Sequence, residues 1–94
     1  MSIVYNGTLD ERLCKTVIGE TIAEIAAEDP DVVYLDADLM GCDNTRPFAA
    51  ANPDRAFNCG IAEANMIGVA CGLAASGFKP ICHSFGVFAS RRCF

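Results

Sequence analysis

The sequence predicts an α/β fold of three layers, in which an open, mostly parallel sheet lies between helices. Three observations carry this reading. An amphipathic helical pattern is followed by a short apolar strand, acids stand at that strand's carboxyl end, and a long apolar helix and a further strand then continue the alternation. At 94 residues the chain holds at most one domain, below the common size of roughly 100–150 residues.

The first helix is expected to begin at Thr8-Leu9-Asp10-Glu11, which has the form of a capping box. Leu9, Leu13, Val17, Ile18, Ile22 and Ile25 recur at helical spacing opposite Arg12, Lys15, Glu20, Glu24 and Glu28, and Asp29-Pro30-Asp31 ends the pattern. Val32-Val33-Tyr34-Leu35 is then a strand whose continuous apolar character predicts burial on both faces. It runs into Asp36-Ala37-Asp38-Leu39, at the end where open sheets collect ligands. Thr45-Arg46-Pro47 can cap and begin a short helix through Ala51, and Asn52-Pro53-Asp54 makes a turn. Ala56 to Cys59 reads as a second strand, and Gly60 leads into an apolar helix from Ile61 to about Ala75, closed by Ser76-Gly77. Lys79 and Pro80 open a third strand, Ile81 to Ser84, and Phe85 to Phe94 begins another helix.

Composition narrows the function. Hydrophobic residues make up 52% of the chain, enough apolar surface to argue against disorder. The balance of 12 acidic against 7 basic residues argues against a nucleic-acid partner, which needs a basic face. Six cysteines are spread without any C-x-x-C pair, so neither a zinc knuckle nor a disulfide scaffold is expected, and most of them lie in apolar runs as small buried thiols. No basic segment followed by an apolar stretch opens the chain, and no apolar run reaches the ~18 residues of a membrane span. A cytoplasmic protein without a membrane is the expectation.

Charge is absent where it is most informative. Between Arg55 and Lys79 the only charged residue is Glu63, and no acid follows it. It opens a helix with no polar face, which the pattern predicts to be buried on every side. An acid there either complements the helix dipole or, in a dry neighbourhood, shares a proton with a ligand. The apolar surroundings favour the second. Along the same helix Ala64, Gly68, Gly72 and Ser76 form a stripe of small residues, suited to close approach by the sheet beneath or by a partner. His83, the only histidine, lies near a strand end, either as a contact for substrate or cofactor or as a structural residue. Arg91 and Arg92 are read as surface charges or as cations for an anionic substrate, and Asp36, Asp43 and Arg46 as polar residues of the loops.

Asp36-Ala37-Asp38-Leu39, the run Asn52-Pro53-Asp54-Arg55-Ala56-Phe57-Asn58-Cys59-Gly60-Ile61-Ala62-Glu63-Ala64-Asn65-Met66-Ile67-Gly68-Val69-Ala70-Cys71-Gly72-Leu73-Ala74, and Ser84-Phe85-Gly86-Val87-Phe88-Ala89 together resemble the pyrimidine-binding domain of transketolase. The resemblance runs from about Leu9 to the last residue, so residues 1–94 are taken as part of one such domain. It implies that Glu63 hydrogen-bonds the aminopyrimidine of thiamine diphosphate and promotes its imino tautomer, the catalytic role in the chain. It implies too that Asp38 and Leu39 line the cofactor cleft and that Phe85 and Phe88, which spacing alone would place in a core, form the pocket for the pyrimidine ring. Ala64 stands where many relatives carry a larger polar residue, which alters the local hydrogen bonds.

The segment that binds diphosphate and Mg²⁺ in the family, a Gly-Asp-Gly followed by Asn, has no counterpart here, so no metal ligand is assigned to this chain. The resemblance therefore implies an N-terminal diphosphate-binding subunit as partner, sugar phosphates as substrates, and a two-gene transketolase in which this chain starts the C-terminal subunit. A pyrimidine domain has more strands than the three read here, and Phe94 is expected in mid-helix. The isolated chain is expected to be inactive and to self-associate as a dimer or larger homo-oligomer. The same domain occurs in 1-deoxyxylulose-5-phosphate synthase and in the β subunit of 2-oxo acid dehydrogenases; Asn65-Met66 leans towards transketolase and the pentose phosphate pathway. A non-catalytic fragment that only docks a partner is the remaining alternative.

Overall fold

The computed structural model describes residues 6–9, 11–42 and 44–93. Among the described residues four helices and three strands alternate: α1 (Cys14–Glu28), β1 (Val32–Asp36), α2 (Arg46–Ala51), β2 (Ala56–Asn58), α3 (Glu63–Ala75), β3 (Lys79–His83) and α4 (Gly86–Arg92). The strands form one parallel sheet in the order β2-β1-β3, so β1 is central and buried along its whole length, as its apolar run predicts. Pro80 is accommodated because β3 is an edge strand.

Strand alternation divides the core into two layers. Val32 and Tyr34 point to one face and pack with Ile22 and Ala26 of α1 and Phe48 of α2. Val33, Leu35 and Ala37 point to the other and pack with Met66 and Ala70 of α3. The opposed placement follows from handedness. Right-handed crossovers that step from β1 to β2 and then back across β1 to β3 must carry α2 and α3 on opposite faces.

Two local expectations are corrected. The helix at Thr8 does not form there: α1 begins at Cys14 with Leu13 as its cap, and the Thr8 N–H donates to Asn6 Oδ1 at 3.0 Å. Leu9 and Leu13 are 83% and 62% exposed, so no packed surface supports a turn of helix upstream, and capping chemistry alone does not sustain one. Asp10 of that motif lies outside the described residues, as do Asp43 and Phe94; the last helix runs to Arg92. The second correction concerns α3, which in the single chain is covered on one face only. Glu63, Met66 and Ala70 are buried, whereas Ala64, Asn65, Gly68, Val69, Cys71 and Gly72 are exposed. A Cβ added at Gly68 or Gly72 would meet nothing within 4 Å, so the small-residue stripe faces away from the sheet.

The predicted stop of α3 is a Schellman closure. Phe78 N–H donates to Leu73 O at 3.0 Å and Gly77 N–H to Ala74 O at 3.1 Å, with Gly77 at φ +97° where only glycine is unstrained. At the start of the sheet, Arg55 ties three elements together. Its Nε and Nη2 donate to Val32 O at 3.0 and 2.9 Å, and Nη2 also donates to Asp29 O at 2.7 Å.

Candidate functional site

The carboxyl ends of the three strands bring Asn58, Asp36 and His83 side by side, because Asp36 is in register with both of the others. After β1 the chain leaves towards α2, and after β3 it leaves towards α4, which packs on α3 at the opposite face. The ends of β1 and β3 therefore border a topological switch point, the crevice in which open α/β sheets hold ligands.

Asp36 is fully buried and organises the rim. Tyr34 Oη donates to its Oδ2 at 2.7 Å, the Leu39 N–H donates to Oδ1, and His83 Nδ1 lies 3.7 Å from Oδ2. Leu39 is half-buried just beyond the strand end. Asp38 is exposed at φ +66°, a left-handed conformation that Asp tolerates better than most residues. Asn58 holds it there: Asn58 Oδ1 accepts from the Asp38 N–H, Asn58 Nδ2 donates to Asp38 Oδ1, both at 3.0 Å, and the Gly60 N–H donates to the same Asn58 Oδ1 at 2.9 Å.

On the α3 side of the rim stands Glu63, the first residue of its helix and only 4% exposed. Its position beside unpaired helix N–H groups suits a carboxylate. Arg92 of α4 reaches across to it, with Nη1 3.5 Å from Glu63 Oε1. The same guanidinium lies over the Phe88 ring, 4.2 Å from its centroid, and Phe88 packs against Phe85 with centroids 6.1 Å apart and planes tilted by 35°. Glu63, Phe85 and Phe88 are thus gathered on one side by a residue that the sequence leaves as a surface charge. The missed signal was spacing: Phe88 and Arg92 are four apart in a helix, so they share a face.

Asp36 is the other residue the sequence leaves unassigned. A carboxylate ending a fully buried strand is the sign that marks it. The described residues enclose no cavity around these groups, and among them no cluster of three His, Cys, Asp or Glu side chains could hold a metal. The six cysteines are free; Cys71 is exposed rather than buried, while Cys59 and Cys82 are half-buried. Desolvation raises the thiols of Cys59 and Cys82 above their ordinary value, the Asp36 charge adding to the first.

Fold and rim define a parallel α/β domain that presents a buried acid and an aromatic wall at the carboxyl end of its sheet. The chain belongs to the transketolase pyrimidine-binding domain family, whose model matches residues 11–94. It is 48% identical over 92 residues to a 6-deoxy-6-sulfo-D-fructose transketolase subunit of Clostridium sp. (strain MSTE9), covering 98% of this chain and 29% of that protein. It is 40% identical over 75 residues to the 1-deoxy-D-xylulose-5-phosphate synthase of Thermomicrobium roseum, covering 80% of this chain and 12% of that enzyme. A solved structure described as a split gene transketolase, inactive beta4 tetramer, superposes with a TM-score of 0.76 at 44% identity, covering 86% of this chain and 27% of its own. The chain thus spans under a third of the length of each of these relatives.

Proposed function

We propose that this chain supplies the pyrimidine side of a thiamine diphosphate-dependent transketolase, which moves a two-carbon ketol unit between sugar phosphates. A separate subunit completes it by binding the diphosphate and Mg²⁺. The observation that carries this is the arrangement of Glu63, Arg92 and Phe88. Arg92 places a flat, nitrogen-rich cation at once against a buried carboxylate and an aromatic face, the two contacts an aminopyrimidine needs, so the residues present fit that ring.

When bound, thiamine diphosphate supplies the carbon nucleophile for ketol transfer. Glu63 would share a proton with a nitrogen of the aminopyrimidine, in a setting where 4% exposure keeps water from competing. Phe85 and Phe88 offer apolar faces to the ring, and Asp38 and Leu39 form the opposite lip of the cleft. A partner subunit is supported by the word subunit in the name of the Clostridium relative and by a relative in Methanocaldococcus jannaschii described as a transketolase C-terminal section, 47% identical over 76 residues. Self-association is supported by the exposed apolar face of α3 and by the tetramer named for the structural neighbour.

In the enzyme assembled with its partner, Glu63→Gln is expected to abolish exchange of the cofactor C2 proton while thiamine diphosphate stays bound. Undiminished exchange with full occupancy would overturn the assignment. The second reading, 1-deoxyxylulose-5-phosphate synthase, is favoured by the Thermomicrobium relative. A panel of sugar phosphates, a 6-sulfo sugar, and pyruvate with glyceraldehyde 3-phosphate separates the two: ketol transfer is expected, and decarboxylative condensation of pyruvate with glyceraldehyde 3-phosphate in the absence of ketol transfer would establish the synthase.

A further inference from the structure

The pair Asp36 and His83 is not used by the reading above, although it sits at the switch point itself. Asp36 is 0% exposed and both its oxygens are engaged, Oδ1 by the Leu39 N–H and Oδ2 by Tyr34 Oη at 2.7 Å. A carboxylate so held cannot rotate to follow its neighbour, so it sets the orientation of whatever packs against it. His83 is its register partner on β3 and turns Nδ1 towards Oδ2 at 3.7 Å. Nδ1 is itself buried, yet 26% of the His83 side chain remains exposed, so its accessible part lies on atoms other than Nδ1. A neutral imidazole carries one proton, and a fixed carboxylate beside Nδ1 draws it to that nitrogen, leaving Nε2 as an acceptor. The neighbouring Ser84 Oγ is buried with no hydrogen-bond partner among the described residues, so a second polar group at this end of β3 has unmet capacity.

We propose that Asp36 is a positioning residue that holds His83 as the Nδ1–H tautomer, so that Nε2 accepts a hydrogen bond from a hydroxyl of a polyhydroxylated substrate entering between the ends of β1 and β3. The substrate half rests on the transketolase reading, and the tautomer half does not.

The chain has a single histidine, so nitrogen-15 long-range correlation spectra of the labelled protein report its tautomer without ambiguity. The Nδ1–H form is expected in the neutral ring, and a dominant Nε2–H form overturns the proposal. Asp36→Asn is expected to shift the ring towards Nε2–H; a folded variant with an unchanged tautomer overturns the positioning role. Should that variant not fold, the wild-type spectrum still decides. In the assembled holoenzyme, His83→Ala is expected to raise KM for the sugar substrate about tenfold with thiamine diphosphate affinity unchanged, and His83→Gln, which restores an acceptor, to recover most of it. An unchanged KM in His83→Ala overturns the substrate role. If the wild-type assembly turns over no sugar phosphate, the transketolase reading and the substrate half fall together, while the spectra still decide the role of Asp36.

Discussion

Tyr34 is fully buried, and its hydroxyl donates to a carboxylate that is equally out of reach of solvent. Removing the donor leaves a buried acceptor short of a partner, so Tyr34→Phe is expected to cost about 1–3 kcal/mol in urea unfolding. At the opposite end of the sheet, Lys79 Nζ donates to Asp29 Oδ2 at 2.6 Å, and this holds the Asp29 carboxyl below its ordinary range. A carboxyl depressed in the folded state stabilises above its unfolded value, and that stabilisation fades as pH falls through the folded one. The stability gap between wild type and Asp29→Asn is therefore expected to close on acidification, as followed by thermal melts at descending pH. Raised thiols carry less thiolate, so Cys59 and Cys82 are expected to alkylate more slowly than exposed Cys14, Cys42 and Cys71 in mass-resolved labelling. Glu63 was legible at this scale because a lone acid in an uncharged stretch is visible in one dimension. Arg92 and Asp36 were not, because their importance comes from what the fold brings beside them: a carboxylate 29 positions away in one case and the end of another strand in the other.

Each strand, and each helix after the first, lies where the sequence places it, since the apolar run of β1 and the apolar content of α3 are strong local signals, although the all-round burial read for α3 does not hold. The start of α1 departs from the sequence pattern because a capping motif acts only where tertiary packing already favours the helix, and Leu9 and Leu13 find no surface. Inside α1, Gly19 is buried for a reason no periodicity shows. A Cβ there would collide with Asn44 O, in the loop that leads to α2, where Asn44 adopts φ +59°. Gly19→Ala must push that backbone aside, and a loss of roughly 1–3 kcal/mol is expected on chemical denaturation. Along α3 the opposite holds. Gly68 and Gly72 have open space around them, so each change to Ala is expected to stabilise the unassociated chain by about 0.5–1 kcal/mol through backbone entropy alone.

At the scale of the molecule, the open face of α3 leaves apolar surface that a single chain does not cover. Gly68→Leu and Gly72→Leu are expected to lower the sedimentation coefficient of the isolated chain while its circular dichroism is kept, because a Cβ added at either position meets nothing within 4 Å and both residues are exposed. An unchanged coefficient would place self-association on another surface. The sequence suggested this surface through its small-residue stripe yet left its direction open, since periodicity shows which residues share a face and not what that face meets. The order β2-β1-β3 also governs how the chain reaches its structure. The central strand is made early, but its longest pairing, from Val32 and Lys79 to Asp36 and His83, closes a loop that contains α2, β2 and α3. During synthesis β1 must wait beside β2 alone, with its second edge uncovered, until β3 has left the ribosome. The apolar strand at the centre of the sheet is therefore the segment whose open edge is exposed to mispairing until β3 docks.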